Sequence, residues 1–275
     1  MLNLTRKNSG SSHSYKIDGL WAPGATTVID ACSPKRLDGW AARLAAAHAD
    51  EHWERLSTMR SADRIAEIEQ AHKASNSDSI KRGHRLHALA EQVAKGQTVK
   101  VDGKLAPALE AIVELLELFD LTPLHTEATV GSAYGYAGTL DMLAESPEWG
   151  TVLLDIKTGK NIYETAALQL AAYRYADVIQ TPRIEVGPRG GKKTVFDQGP
   201  MPAVDHCMVI HVGLTTASLV PVMAGPEQFA VFLMMLDVFT SWTVKTGWTY
   251  RDRDDAYNPV GPVIDGPEID LPEGF

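Results

Sequence analysis

The chain of 275 residues has only two cysteines, Cys32 and Cys207, far apart in sequence. That excludes a zinc or iron–sulfur site built on four thiolates and argues against a disulfide-built secreted scaffold; two buried thiols are the plain reading. Long apolar runs are missing as well. Nothing approaches the roughly 20 residues that span a bilayer, and the opening MLNLTRKNSGSSHSYK lacks the apolar centre of a secretory signal. The expectation is a cytoplasmic protein with no membrane partner. A phosphate-cradling loop is absent too: TGKN holds Gly159-Lys160, but such a loop needs a glycine where Leu154 stands and Ser or Thr where Asn161 stands. No internal repeat and no helicase motor motif occurs.

An excess of positive charge is also lacking. The net charge is −9, but residues 251–275 carry seven acidic side chains against Arg251 and Arg253, leaving −4 for the rest of the chain. Carboxylates gathered around a cation lose their mutual repulsion, so the global balance excludes no nucleic-acid partner.

What is present is enough apolar residue, 44%, for a sizeable core. The first 120 residues read as mainly helical after a polar leader. YKIDGLWAPGATTVID suggests a short hairpin or extended entry, WAARLAAAHADEHWERL a helix, SADRIAEIEQAHKA and KRGHRLHALAEQVAKG helical stretches, and PALEAIVELLELFD another. From Leu121 the character changes. LHTEATV, YGYAGTLDMLA and TVLLDIKT are rich in strand formers and predict an antiparallel meander. A helix over YETAALQLAAYRYADVI follows, with Leu168, Ala172, Tyr175 and Ile179 on one stripe. DHCMVIHVG and SLVPVMA predict a second hairpin, and PEQFAVFLMMLDVFTSWTVKTG a last helix. The expected fold is α/β: a central mixed sheet with flanking helices over 121–250, a helical region over 1–120, and a flexible Pro-, Gly- and Asp-rich tail over 251–275.

The hairpin at 138–160, GTLDMLAESPEWGTVLLDIKTGK, carries Asp141, Asp155 and Lys157 inside apolar runs. Alternate strand residues share a face, so Asp155 and Lys157 point the same way. A turn at Ser146 to Gly150 sets Asp141 beside Asp155. Two adjacent carboxylates repel unless a divalent cation such as Mg²⁺ or Mn²⁺ bridges them, and a neighbouring lysine adds positive charge at the same point. That set suits phosphodiester hydrolysis. The competing reading is a surface ion pair of Asp155 with Lys157.

GTLD, DIKTG, Gln169-x-x-x-Tyr173 and, upstream, Gly83-x-x-x-His87 occur in this order, and the set resembles the RecB-like branch of the PD-(D/E)XK nuclease superfamily, phage and CRISPR-associated exonucleases in particular. The resemblance runs from about Thr27 to about Phe239 and implies a restriction-endonuclease-like core. It implies metal ligands at His87, Asp141, Asp155 and the Ile156 backbone carbonyl, with Asp141, Asp155 and Lys157 as the catalytic set. It also implies that Gln169 and Tyr173 support the site and contact the DNA backbone. Glu127 is either an added acidic ligand or a solvent-facing glutamate. Arg85, with Lys81 and Arg82, and Arg189, Lys192 and Lys193 in GPRGGKKT are candidates for sequence-independent phosphate contacts; a solvated loop is the alternative for the latter. Many RecB-like exonucleases carry an iron–sulfur cluster on four cysteines, which two cysteines do not supply.

The expected activity is thus a Mg²⁺- or Mn²⁺-dependent deoxyribonuclease, an exonuclease in phage or host DNA recombination, repair or processing. A single-strand annealing protein or a helicase is the expected partner type, and the bacterial host cytoplasm the location if the chain is phage-encoded. The alternatives are a catalytically weak DNA- or partner-binding protein that keeps the fold, and a structure-selective endonuclease.

Overall fold

The structure is a computed structural model that describes residues 2–9, 12–33, 38–101, 103–186 and 190–243. The acidic tail, expected to be flexible, lies outside the described residues. The chain opens with a three-stranded antiparallel sheet, β1 (Leu4–Ser9), β2 (Ser12–Ile17) and β3 (Leu20–Ala22). Helices α1 (Ala25–Cys32), α2 (Asp38–Glu51), α3 (Trp53–Ser57), α4 (Ser61–Ala94) and α5 (Ala106–Leu118) follow. Next come strands β4 (Thr122–Ser132), β5 (Tyr136–Ser146) and β6 (Gly150–Lys157), and then helix α6 (Thr165–Arg174). Strands β7 (Val178–Val186), β8 (Lys192–Pro200), β9 (His206–Val212) and β10 (Ala217–Pro221) lead to helix α7 (Pro226–Val238) and a π-helical turn at Phe239–Thr243.

The large sheet has seven strands in the order β10-β9-β6-β5-β4-β7-β8, and it is mixed: β6 and β9 run parallel and the other neighbours antiparallel. The α/β architecture with a central mixed sheet is therefore as expected from the sequence. So are the β4-β5-β6 meander and the β9-β10 hairpin.

Period-two alternation puts one row of each central strand on either face. Leu153, Cys207 and Val209 belong to the apolar layer under α1, α6 and α7, while Val152, Leu154, Ile156, Met208 and Ile210 belong to the layer under α4 and α5. Each fully buried Leu or Val in these rows stabilises by about 1.5–3 kcal/mol. A third, smaller layer joins Leu4, Tyr15 and Ile17 of the N-terminal sheet to Ala137 and Val178.

Several elements differ from the sequence reading. Leu4–Ser9, in the polar leader, is a strand, because Leu4 is buried against the end of the large sheet. ATTVID opens helix α1 rather than continuing an extended entry. The two helical stretches before Lys95 are one helix of 34 residues, α4; α2 packs on it, and its Leu86, Leu89 and Ala90 share a core with α5.

The helix expected to reach Ile179 ends at Arg174, and Val178 and Ile179 begin β7. Pairing of Ile179 with Val130 and the Asp177 carboxylate on Ser132 Oγ and the Ala133 amide fix that change of course. The GPRGGKKT segment runs into β8, which pairs with β7 through Glu185–Lys193 and Val186–Lys192.

Candidate active site

The ladder between β5 and β6 stops at the Met142–Leu154 rung. One residue further, the register brings Asp141 opposite Asp155. There the strands part, and the Ile156 N–H donates to Asp141 Oδ2 at 2.7 Å instead of to a strand carbonyl. A buried backbone donor needs a partner, so the carboxylate that opens the sheet also satisfies it. Neighbouring N–H and C=O groups of one strand residue point to the same side, which aims the Ile156 carbonyl at Asp141 as well. From α4, His87 Nδ1 lies 3.4 Å from the same Asp141 oxygen.

Asp155 is only 2% exposed. Its Oδ1 accepts from Gln169 Nε2 at 2.9 Å, while Gln169 Oε1 accepts from Lys157 Nζ at 3.1 Å. Gln169 on α6 thereby ties the carboxylate to the ammonium. Lys157 Nζ also stands 2.7 Å from Asp155 Oδ2, as an ion pair; that buried oxygen has no aligned hydrogen-bond donor. Gln169 Nε2 further lies 3.4 Å from the Tyr173 hydroxyl one helical turn on. The Tyr173 ring rests on Gly138 of GTLD, where a Cβ would come within 2.3 Å of Tyr173 Cε1. The glycine of that motif is thus a seat for an aromatic ring.

Glu127 sits on β4 between the Thr126–Met142 and Ala128–Leu140 rungs, level with Asp141. Its backbone is left-handed, φ 51°, a conformation that costs a non-glycine residue about 1–2 kcal/mol. Arg6 of β1 donates to the Glu127 carbonyl at 3.4 Å and lies 3.8 Å from its carboxylate. Three carboxylates, Glu127, Asp141 and Asp155, therefore form a row across three adjacent strands.

The row separates their proton affinities. Burial pushes the Glu127 carboxyl up to about 7, helped by the charges of Asp141 and Glu91. Burial also lifts Asp155 to about 6, against the Lys157 ammonium and with Asp141 adding to the rise. Burial acts on Asp141 the same way, but His87, Lys157 and the Ile156 N–H together hold it below the usual range. Burial lowers His87 and Lys157, and the facing carboxylates outweigh it, so both are raised. Lys157 is accordingly an ammonium at neutral pH.

In front of this network lies a cleft of about 480 Å³, walled by α4, α1, α6 and the segment after β6. His87, Lys157 and Gln169 reach its lining. Gly83 lets α4 close on the cleft floor, since a Cβ there would meet Thr158 Oγ1 at 2.9 Å. His211 Nε2 is 2.7 Å from the Gly159 carbonyl and pins the loop beyond Lys157.

The expected residues His87, Asp141, Asp155, Ile156, Lys157, Gln169 and Tyr173 thus converge, with Glu127 beside them. Arg85 is exposed on α4 and does not line the cleft. Lys193 is exposed on β8, at the opposite edge of the sheet from β10 and with β7, β4 and β5 between it and β6. Arg189 and the side chain of Lys192 lie outside the described residues. Arg6, Asp30, His84 and Tyr163 were not singled out from the sequence. Arg6 is placed only by the packing of β1, and the others only by the way α1, α4 and the loop meet.

The donor set suits a hard divalent cation in kind: two carboxylates, a strand carbonyl and an imidazole, with one buried carboxylate oxygen lacking a hydrogen bond. Among the described residues, no three His, Cys, Asp or Glu side chains enclose an ion as they stand; His87 pairs with Asp141, and Asp155 pairs with the Lys157 ammonium. His87, Asp141, Asp155 and the Ile156 carbonyl are the groups able to hold one. Among the described residues no helix is long and apolar enough to cross a membrane.

Compared with known proteins, the chain matches no family model and no curated protein.

Proposed function

We propose that this chain is a Mg²⁺- or Mn²⁺-dependent nuclease that hydrolyses DNA phosphodiester bonds, an exonuclease of the RecB-like kind that its motifs resemble. The observation that carries the reading is the Gln169 bridge: one amide holds Asp155 and Lys157 together at the wall of a cleft, next to the Asp141–His87 pair. A bound divalent cation would supply an activated water and neutralise phosphate charge. The chain's own residues do the rest. Lys157 presents a fixed ammonium to a phosphate oxygen as negative charge grows there, at no reorganisation cost because Asp155 and Gln169 already hold it. Asp141 keeps its charge and orients His87, and the apolar layer under Leu153 and Leu170 excludes water from behind.

End-labelled linear and circular DNA, single- and double-stranded, incubated with each metal tests the reading. Wild-type protein degrades linear DNA, and Lys157→Ala and Asp155→Asn lose that activity by a factor of about 10² or more. Equal degradation by wild type and both variants would sink it. Binding without cleavage in either metal would favour the DNA-binding alternative.

A further inference from the structure

Tyr163 stands out among the exposed aromatic side chains. It is 51% exposed and lines the cleft together with His84, Lys157 and Gln169. Trp21, Trp53 and Tyr134 are also exposed, but each packs on another ring or a cation, Phe239, Arg64 and Phe229 respectively, and the exposed Phe196 lies on the edge strand β8, away from the cleft lining. Tyr163 has no such partner among the described residues. Its backbone is nevertheless fixed. The Tyr163 carbonyl accepts the Ala166 N–H at 2.9 Å at the start of α6, and neighbouring Ile162 packs into the core under that helix. An aromatic ring is thus held in water on a rigid base, on the wall of a cleft that Lys157 lines and behind which Asp155 is buried.

We infer that Tyr163 is a stacking platform for an unpaired nucleobase, so that the substrate taken into the cleft is a single DNA strand. This inference rests on the nuclease reading and names its substrate form. The geometry argues for one strand. Lys157 lines a cleft of about 480 Å³, within the range that holds one small ligand, and the buried Asp155 lies behind that lining. A duplex carries its phosphates on a stiff cylinder with the bases stacked inside and cannot follow them in. A single strand can splay one base away from its phosphate. Stacking on an aromatic ring is worth about 1–3 kcal/mol per base and tolerates any base.

The test is binding of fluorescent DNA to the full chain in EDTA, by anisotropy, so that no cleavage is needed. The probes are a single-stranded oligonucleotide, the same strand with abasic sites, and its duplex. Wild type is expected to bind the single strand more tightly than the abasic strand and the duplex. Tyr163→Ala should weaken single-strand binding about 5- to 150-fold, a range that matches the stacking energy, without lowering the melting temperature, and should erase the preference over the abasic strand. Tyr163→Phe should bind as wild type, because the ring is what stacks. Equal single-strand binding by wild type and Tyr163→Ala, a duplex preference in wild type, or failure of Tyr163→Phe to bind each overturns the inference. If the wild type degrades DNA while Tyr163→Ala binds normally, stacking falls and the nuclease reading stands. If the wild type binds single strands through Tyr163 yet cleaves nothing, the reverse holds.

Discussion

The β5–β6 hairpin has two halves that obey opposite rules. In the turn half, Leu143–Leu153 and Ala144–Val152 are regular rungs whose side chains are fully buried in two apolar layers. In the other half the ladder opens, and Asp141, Asp155 and Lys157 occupy the same kind of position with charges. The first half holds the sheet together, and the second is held in place by it. Burial that stabilises the leucines is what raises Asp155 and Glu127 toward neutral pH. The difference shows where the fold spends stability: in Asp155 and Glu127, two carboxylates buried where an apolar side chain would carry no desolvation cost.

Substitutions can break that contrast from either side. Leu153→Ala, in the apolar half, should destabilise the protein by about 2–5 kcal/mol in denaturant titration, since it opens a cavity under α6. Lys157→Ala, in the charged half, should instead cost about 3–4 kcal/mol in the hydrolytic barrier, read as a 10²–10³-fold fall in DNA cleavage rate. Gly138→Ala lies between the two. Its methyl meets the Tyr173 ring at a distance no real contact allows, so about 1–3 kcal/mol of stability should go, together with cleavage as Gln169 loses its neighbour.

The smallest effect carries the sharpest sign. Glu127 binds its proton more tightly folded than unfolded, about 7 against 4.5, so its contribution favours the fold below pH 4.5 and is lost as pH rises toward 7. Glu127→Gln should therefore raise stability by about 1–2 kcal/mol at pH 8 in EDTA and change nothing at pH 4. Melting temperatures at the two pH values check this, and a gain at pH 4 or a loss at pH 8 would contradict the assignment.

Much of this arrangement was legible in the sequence because it is written in local periods. The alternation of Leu153, Asp155 and Lys157, the turn before Gly150 and the four-residue spacing of Gln169 and Tyr173 each specify a direction without help from elsewhere. The resemblance then selected among the residues so aligned. What stayed hidden depends on distant contacts. Nothing near Arg6 announces that a polar leader folds back as a strand and reaches Glu127, 121 residues away. The left-handed backbone at Glu127 interrupts the β4–β5 ladder between Thr126 and Ala128, and nothing in the residue itself announces it. The run SNSDSI, poor in helix formers, lies between the two stretches read as helical, and packing of α2 on α4 and of α5 on its second half overrides that local preference.

Undivided, α4 is a rod of 34 residues, about 50 Å long. Its second half is anchored, since Gly83 lies against Thr158 and Leu86, Leu89 and Ala90 share a core with α5. His87 therefore meets Asp141 from a fixed base, while the first half, about 33 Å of rod before Gly83, is the part that carries α2.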